Sequence, residues 1–181
     1  MKWRHLSIQS KRNNMDYTDQ TIMLTGYIIS NLVALLMLWF SRRKPVTARA
    51  LFFLLFVWAG VTNATTSIST PGVYLEYADF TFLPFYKSII LGFFGRNITV
   101  IVMCIAICQL LIGVSMILKG VIFKLGCIGG ILFLIGITPL GVGSGAPATL
   151  TWAVGLYLLY RRGAKNYWWS SFRKQQPSGI I

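Results

Sequence analysis

The chain has 181 residues, of which 55% are hydrophobic and 12% charged, and its formal net charge is +13 at pH 7. A soluble domain of this composition would leave apolar surface uncovered, because globular chains carry about 25% charged residues. The lysines and arginines cluster at the ends of apolar segments, where membrane topology and anionic lipid head groups explain them. The composition therefore predicts an all-α, polytopic membrane protein and argues against a nucleic-acid partner.

The N-terminal part of the chain divides into a polar and an apolar segment. Residues 1–20 are polar, mixed in charge and without apolar periodicity, which predicts a loosely ordered tail. Residues 21–40 have the position of a signal peptide, but the apolar run is long. It is followed by Ser41, Arg42, Arg43 and Lys44 rather than by a small-residue cleavage site. We interpret Thr21–Phe40 as a transmembrane anchor.

Four further apolar segments follow, and about 20 apolar residues suffice to cross a bilayer. The last two are short, but residues 121–160 contain a single charge, Lys124, so that this stretch can cross twice as a hairpin turning at Pro139–Pro147. The sequence thus predicts a four-helix transmembrane bundle within residues 49–160 plus one extra N-terminal transmembrane helix. The four segments are Arg49–Ile68, Asn97–Leu118, Val121–Thr138 and Ala146–Tyr160.

Residues 69–96, between the second and third spans, form a segment that we call the lid. Its aromatic side chains favour the head-group region of a bilayer, which predicts a lid that either packs at the interface or contacts a ligand. We also expect Asp79 to turn inward and meet Arg96, Lys87 or Arg49, because an unpaired carboxylate at a low-dielectric surface is costly. The aromatic residues are Tyr74, Tyr77, Phe80, Phe82, Phe85 and Tyr86.

The distribution of basic residues predicts the topology. Alternate loops carry 11 Lys and Arg residues on one side and 6 on the other. By the positive-inside rule, the N-terminus and the lid lie outside and the basic, aromatic tail at 161–181 lies in the cytoplasm. A translation start at Met15 would sharpen the bias to 11 against 2.

The polar residues near the spans limit the chemistry. All four carboxylates lie outside the predicted spans, which argues against a proton relay, and the one histidine, His5, lies in the polar tail, so no metal site is predicted. Gln109 lies mid-span and must find a partner, such as Asn63, Thr62 or Thr66 on the preceding span. Its amide forms either an interhelical hydrogen bond or a ligand contact.

A small-residue motif marks the fourth predicted span. Gly126 and Gly130 form G-x-x-x-G, a spacing that lets helix backbones approach closely in lipid. Two interpretations remain open: packing within the chain, or a seam between two copies of it.

Several features of residues 49–160 match one family. They are the leading Arg49, the segments Tyr77–Phe80 and Leu83–Tyr86, the run Gln109–Gly113 and the run Ile137–Gly143. In these the chain resembles the DoxX-like (DoxX/DoxD) family of small four-helix membrane proteins. The resemblance implies a bacterial inner (cytoplasmic) membrane protein, an accessory or quinone-facing subunit of a membrane oxidoreductase, with partner subunits and no intrinsic cofactor other than a bound quinone. The family commonly has an acid where this chain has Gln109, which argues against an acid/base role here.

The polar residues able to line one cavity are the candidate site, and none is assigned a catalytic step. Two alternatives to the oxidoreductase subunit remain: a membrane binder or transporter of a small apolar molecule, and a structural assembly factor. The candidate residues are Arg49, Asn63, Tyr77, Asp79, Lys87, Arg96 and Gln109.

Overall fold

The computed structural model describes the backbone of residues 2–173 and the side chains of residues 21, 24–141 and 144–170. Across this part of the chain the structure is helical and contains no strand, so the predicted all-α class is confirmed. The five long helices are α1 (Lys2–Arg43), α2 (Pro45–Ser69), α5 (Ile98–Ile117), α6 (Gly120–Ile137) and α7 (Ala148–Arg162).

Shorter helices form the connections. The lid consists of a 3-10 helix (Pro71–Glu76), α3 (Tyr77–Phe80), α4 (Pro84–Ile89) and a π-helical turn (Ile90–Phe94). A second 3-10 helix, Thr138–Ser144, forms the predicted turn between α6 and α7, and α8 (Trp168–Arg173) follows α7.

Both terminal segments of the chain contain helix in their described parts. The backbone of α1 is already helical from Lys2, so the helix includes most of the polar segment that we expected to be loosely ordered. In the predicted tail at 161–181, α8 contacts α2, and the Trp168 indole donates a hydrogen bond to the carbonyl oxygen of Val46 at 3.0 Å. Residues 174–181 lie outside the described part of the chain.

Four helices in the described part of the chain are long and apolar enough to cross a membrane, where we predicted five spans. Helix α7 is not among them, because its 15 residues extend about 22 Å, less than the roughly 30 Å of a bilayer's hydrocarbon core. The protein is therefore a membrane protein with four clear candidate spans. They are Leu24–Arg43, Pro45–Ser69, Ile98–Ile117 and Gly120–Gly141.

The five long helices pack side by side in a closed ring. Helix α2 packs most extensively on α5, α6 lies between α5 and α7, and α1 contacts both α7 and α2. Ala34, Met37 and Ser41 lie on one face of α1 and are buried. We predicted an anchor helix in addition to a four-helix bundle, and α1 packs on α7 and α2 as part of the bundle wall.

The G-x-x-x-G motif of α6 lies where this helix packs on its neighbours in the same chain. This agrees with the first of the two interpretations, packing within the chain. A Cβ atom at Gly126 would lie 1.6 Å from the Ser115 hydroxyl oxygen of α5. One at Gly130 would lie 2.6 Å from a methyl carbon of Leu156 on α7. The two glycines therefore let α6 approach both of its neighbours closely.

The bundle has two chemically different ends. At one end, which we call the lid end, the lid contacts the turn between α6 and α7. The Thr81 hydroxyl donates to the Pro139 carbonyl oxygen at 2.7 Å, and the Tyr86 hydroxyl donates to that of Gly136 at 2.9 Å. The opposite end, the basic end, includes the exposed residues Arg43, Lys44, Lys119, Lys124 and Arg162.

Candidate functional site

A cavity of about 610 Å³ lies in the half of the bundle nearer to the lid. All five long helices and the lid contribute to its walls, which are mostly aromatic and aliphatic. Its volume is in the range of pockets that bind small molecules. The aromatic wall residues are Tyr27, Phe56, Trp58, Tyr74, Tyr77, Phe94, Phe133 and Trp152; the polar ones are Ser30, Thr62, Asn63, Gln109, Ser144 and Thr149.

A chain of hydrogen bonds connects α5, α2 and the lid at this cavity. The Asn63 amide nitrogen donates to the Gln109 side-chain oxygen at 2.8 Å, and the Tyr74 hydroxyl donates to the Asn63 side-chain oxygen at 3.0 Å. Gln109 is 3% exposed, so its amide needed a partner inside the protein. The predicted pairing of Gln109 with Asn63 is confirmed.

The cavity wall is electrically neutral, because it includes no charged side chain from the described residues. The two lid tyrosines that line the cavity, Tyr74 and Tyr77, also stay protonated at neutral pH. Burial raises the pKa of Tyr74, and neighbouring Tyr77 adds to this effect. Burial, followed by the nearby Glu76 carboxylate, raises the pKa of Tyr77. The lid thus presents phenol hydroxyls rather than phenolates to the cavity.

Trp152 of α7 lines the cavity and carries an indole N–H that is buried within the wall. Its indole nitrogen is buried and has no hydrogen-bond partner among the described residues. The Tyr77 side chain likewise makes no hydrogen bond within the described part of the chain. Because a buried donor without an acceptor is costly, the wall favours a guest that carries acceptor oxygens.

Three of the seven predicted site residues, Asn63, Tyr77 and Gln109, line this cavity. Arg49 does not, because it lies 14 residues before Asn63 on the same helix, a distance of about 21 Å. It is buried at the basic end.

There the Arg49 guanidinium donates to three carbonyl oxygens: Met116 at 2.8 Å, Leu118 at 2.6 Å and Asn166 at 3.2 Å. Its carbon also lies 4.9 Å from the centre of the Phe123 ring. Two of the carbonyls belong to the end of α5, where backbone acceptors lack helical partners. Arg49 is therefore a structural clamp between helices, and its assignment to the cavity was wrong.

The charged residues of the lid also lie outside the cavity wall. Asp79 pairs with Lys87 at 3.6 Å, but the two side chains are 80% and 51% exposed. Lys87 was one of the three predicted partners, whereas the inward orientation of Asp79 was wrong, since water solvates the carboxylate here. Arg96 is exposed, just before α5. Aromatic packing, including that of Tyr74 on Ile98, holds the lid instead.

Sequence reasoning missed two groups of cavity residues. Tyr74 and Trp152 are aromatic residues whose polar atoms need partners, and that need was a usable signal. Tyr27 and Ser30 were overlooked because α1 was treated as a separate anchor.

Together, the apolar helices and the neutral cavity define a helical membrane protein with a cavity inside its helix bundle. Comparisons with protein-family models, curated proteins and solved structures found no match.

Proposed function

We propose that this protein binds a small, mainly apolar molecule with a carbonyl head group, of the quinone class, as an accessory subunit of a membrane oxidoreductase. The observation that carries the proposal is the neutral cavity together with Trp152, a residue of its wall whose buried indole N–H has no partner among the described residues.

The donor and acceptor chemistry of the wall supports this ligand class. A quinone has carbonyl oxygens that accept hydrogen bonds, and it has no donor of its own. Among the wall residues, Tyr77 carries a hydroxyl donor, and Trp152 carries a buried indole N–H that a small movement of its ring would bring to the ligand. The Gln109 oxygen is engaged by Asn63, which leaves its amide N–H group as a third donor.

The composition of the same cavity wall indicates which functions this protein performs and which belong to the quinone and to partner subunits. A bound quinone supplies two-electron redox chemistry, while the protein contributes binding and orientation. Because no acidic or basic side chain of the described residues lines the cavity, electrons and protons are expected to come from partner subunits. The partner subunits and the DoxX-like assignment rest on the sequence resemblance.

A second candidate is a binder or transporter of a small apolar molecule that works without an oxidoreductase. It is favoured by the cavity itself, to which all five long helices and the lid of this chain contribute. A structural assembly factor has no use for this cavity, and the absence of any bound molecule would favour that role.

We further propose that α7 crosses the membrane as a fifth span, with the N-terminus outside and the C-terminus in the cytoplasm of a bacterium. Support comes from the ends of α7. Thr149, near its start, lies 3.0 Å from the Thr138 hydroxyl at the lid end, whereas Arg162 donates to the Arg42 carbonyl oxygen at the basic end. The excess of basic residues at that end agrees with the positive-inside rule.

The test combines co-purification with one matched pair of variants. The protein is purified in mild detergent, and bound proteins, quinones and lipids are identified by mass spectrometry. Binding of a short-chain ubiquinone analogue is then measured for Trp152→Phe and for Trp39→Phe. Trp39 is 48% exposed and does not line the cavity.

Trp152→Phe should weaken binding about five- to tenfold, the worth of one hydrogen bond, while Trp39→Phe should not. Loss of the indole N–H should itself cost the ligand-free protein little stability, because it has no partner among the described residues. The smaller ring should lower the melting temperature, because Trp152 packs against the core, so binding is measured well below that temperature. Equal binding by both variants, together with no co-purified quinone, would refute the quinone proposal. A bound apolar molecule without partner subunits would favour the second candidate.

A further inference from the structure

A second cavity, of about 730 Å³, lies at the basic end between the start of α6 and the chain that follows α7. Two glycines in left-handed conformations, Gly120 (φ +65°) and Gly163 (φ +66°), shape the two chain segments. The Gly120 amide donates to the Ala164 carbonyl oxygen at 2.9 Å and holds the segments together. The cavity is therefore formed by defined backbone contacts.

Four basic side chains line this cavity: Lys119, Lys124, Arg162 and Lys165. The Lys119 ammonium lies 4.6 Å from the centre of the Tyr167 ring, and that of Lys124 lies 5.7 Å from the Tyr160 ring. These ring contacts favour defined positions for two of the charges.

The chain supplies no acidic side chain, among the residues that the structure describes, that lines this cavity or pairs with its cations. Its four acidic residues are Asp16 and Asp19, which precede the first candidate span, and Glu76 and Asp79, which belong to the lid. Four cations converge on one cavity at the opposite end of the bundle, where their mutual repulsion favours an anion from outside.

The wall beside these cations is apolar. Val121 and Ile122, at the start of α6, line the cavity and are 72% and 56% exposed. Both belong to the candidate span Gly120–Gly141, so their exposed surfaces face lipid when the span is in a bilayer. A ligand that fits both parts has a negatively charged head and hydrocarbon chains.

We propose that this cavity binds the phosphate head group of an anionic phospholipid, with its acyl chains along Val121 and Ile122. The phosphate oxygens accept from Lys119, Lys124 and Lys165, and basic cavities between membrane helices suit such head groups. A free phosphate ion shares the head-group chemistry but gains nothing from the apolar wall. A zwitterionic lipid brings a cation to a cavity that already holds four.

The test compares lipids with identical short acyl chains and different head groups. Native mass spectrometry of the purified protein in detergent measures binding of phosphatidylglycerol, phosphatidylcholine and, separately, inorganic phosphate. Two double variants each remove two positive charges from the basic end: Lys119→Gln with Lys124→Gln inside the cavity, and Arg43→Gln with Lys44→Gln outside it. Lys165→Gln serves as a single variant in case the first pair fails to fold.

Phosphatidylglycerol should bind at one saturable site, and the variant pair inside the cavity should weaken it about 25-fold, or about fivefold for Lys165→Gln alone. The pair outside the cavity should leave the affinity close to that of the parent. If both variant pairs weakened phosphatidylglycerol binding equally, the effect would come from general surface charge rather than from this cavity. That result would overturn the proposal. So would equal binding of phosphatidylcholine, or a site that inorganic phosphate saturates and phosphatidylglycerol does not enter.

Discussion

The hydrogen bond between Asn63 and Gln109 permits a quantitative test of the cavity's architecture. Gln109→Leu keeps the side-chain volume roughly constant but removes the oxygen that accepts from Asn63 at 2.8 Å. Interhelical hydrogen bonds in membranes contribute about 0.6–1.7 kcal/mol, so we expect a loss of about 1 kcal/mol of unfolding free energy. Asn63→Leu should cost about twice as much, because Asn63 also accepts from Tyr74.

A double-mutant cycle separates this bond from the other effects of each substitution. The coupling energy between Gln109→Leu and Asn63→Leu should be about 0.6–1.7 kcal/mol, measured by reversible unfolding in mixed detergent micelles. Ser30→Ala provides the matched control, because Ser30 lines the same cavity but donates to the Tyr27 carbonyl oxygen instead. Its cycle with Gln109→Leu should show coupling near zero.

Coupling between Gln109 and Asn63 as small as that of the control would refute the hydrogen-bonded wall. The same variants also report on the ligand. If Gln109 contacts the ubiquinone analogue, Gln109→Leu should weaken binding by more than its loss of stability explains. Unchanged binding would remove Gln109 from the ligand contacts while leaving the interhelical bond intact.

Three further predictions concern the frame around the cavity. Arg49→Lys should destabilise the protein nearly as much as Arg49→Met, by about 2–4 kcal/mol, because one ammonium cannot replace the guanidinium at three carbonyl oxygens; a lysine variant as heat-stable as the parent would contradict this. Gly126→Ala should lower the melting temperature and Gly136→Ala should not, because a Cβ at Gly136 meets no atom within 4 Å; equal melting temperatures would contradict the close packing of α6. The pKa of Tyr77 is raised above 10.0, so its burial stabilises the lid below pH 10, and this stabilisation falls as the pH rises towards the raised pKa. Protease cleavage of the lid should therefore increase above pH 10 in the parent and less in Tyr77→Phe, where Tyr74, whose pKa burial also raises, still ionises; equal pH profiles would contradict this.

The cavity residues show where sequence reasoning succeeded. Gln109 could be assigned a partner because an amide inside a span has few alternatives, and Asn63 was among the few polar residues on the preceding span. Reasoning about position could also have excluded Arg49, since helical rise alone separates it from Asn63 by about 21 Å. That error came from grouping polar residues by type and ignoring their depth.

Other features depended on contacts between distant parts of the chain. The burial of Met37 against α7 and α2 placed α1 in the bundle wall, although the apolar run alone was equally consistent with a separate anchor. The preference of Asp79 for Lys87 over Arg96 or Arg49 depended on how the lid folds. Neither result could be predicted from the local sequence pattern, because each depends on which parts of the folded chain pack against each other.

The sequence by itself determined that this is a helical membrane protein, and it located four of the five predicted spans to within a few residues of the candidate spans in the structure. It could do so because the bilayer selects long apolar helices from local composition. The tertiary structure alone decided which side chains share a cavity and which lie at opposite ends. It also left the indole nitrogen of Trp152 without a hydrogen-bond partner among the described residues. Those outcomes depend on the order and rotation of packed helices, which are set by side-chain fit between segments far apart in the chain.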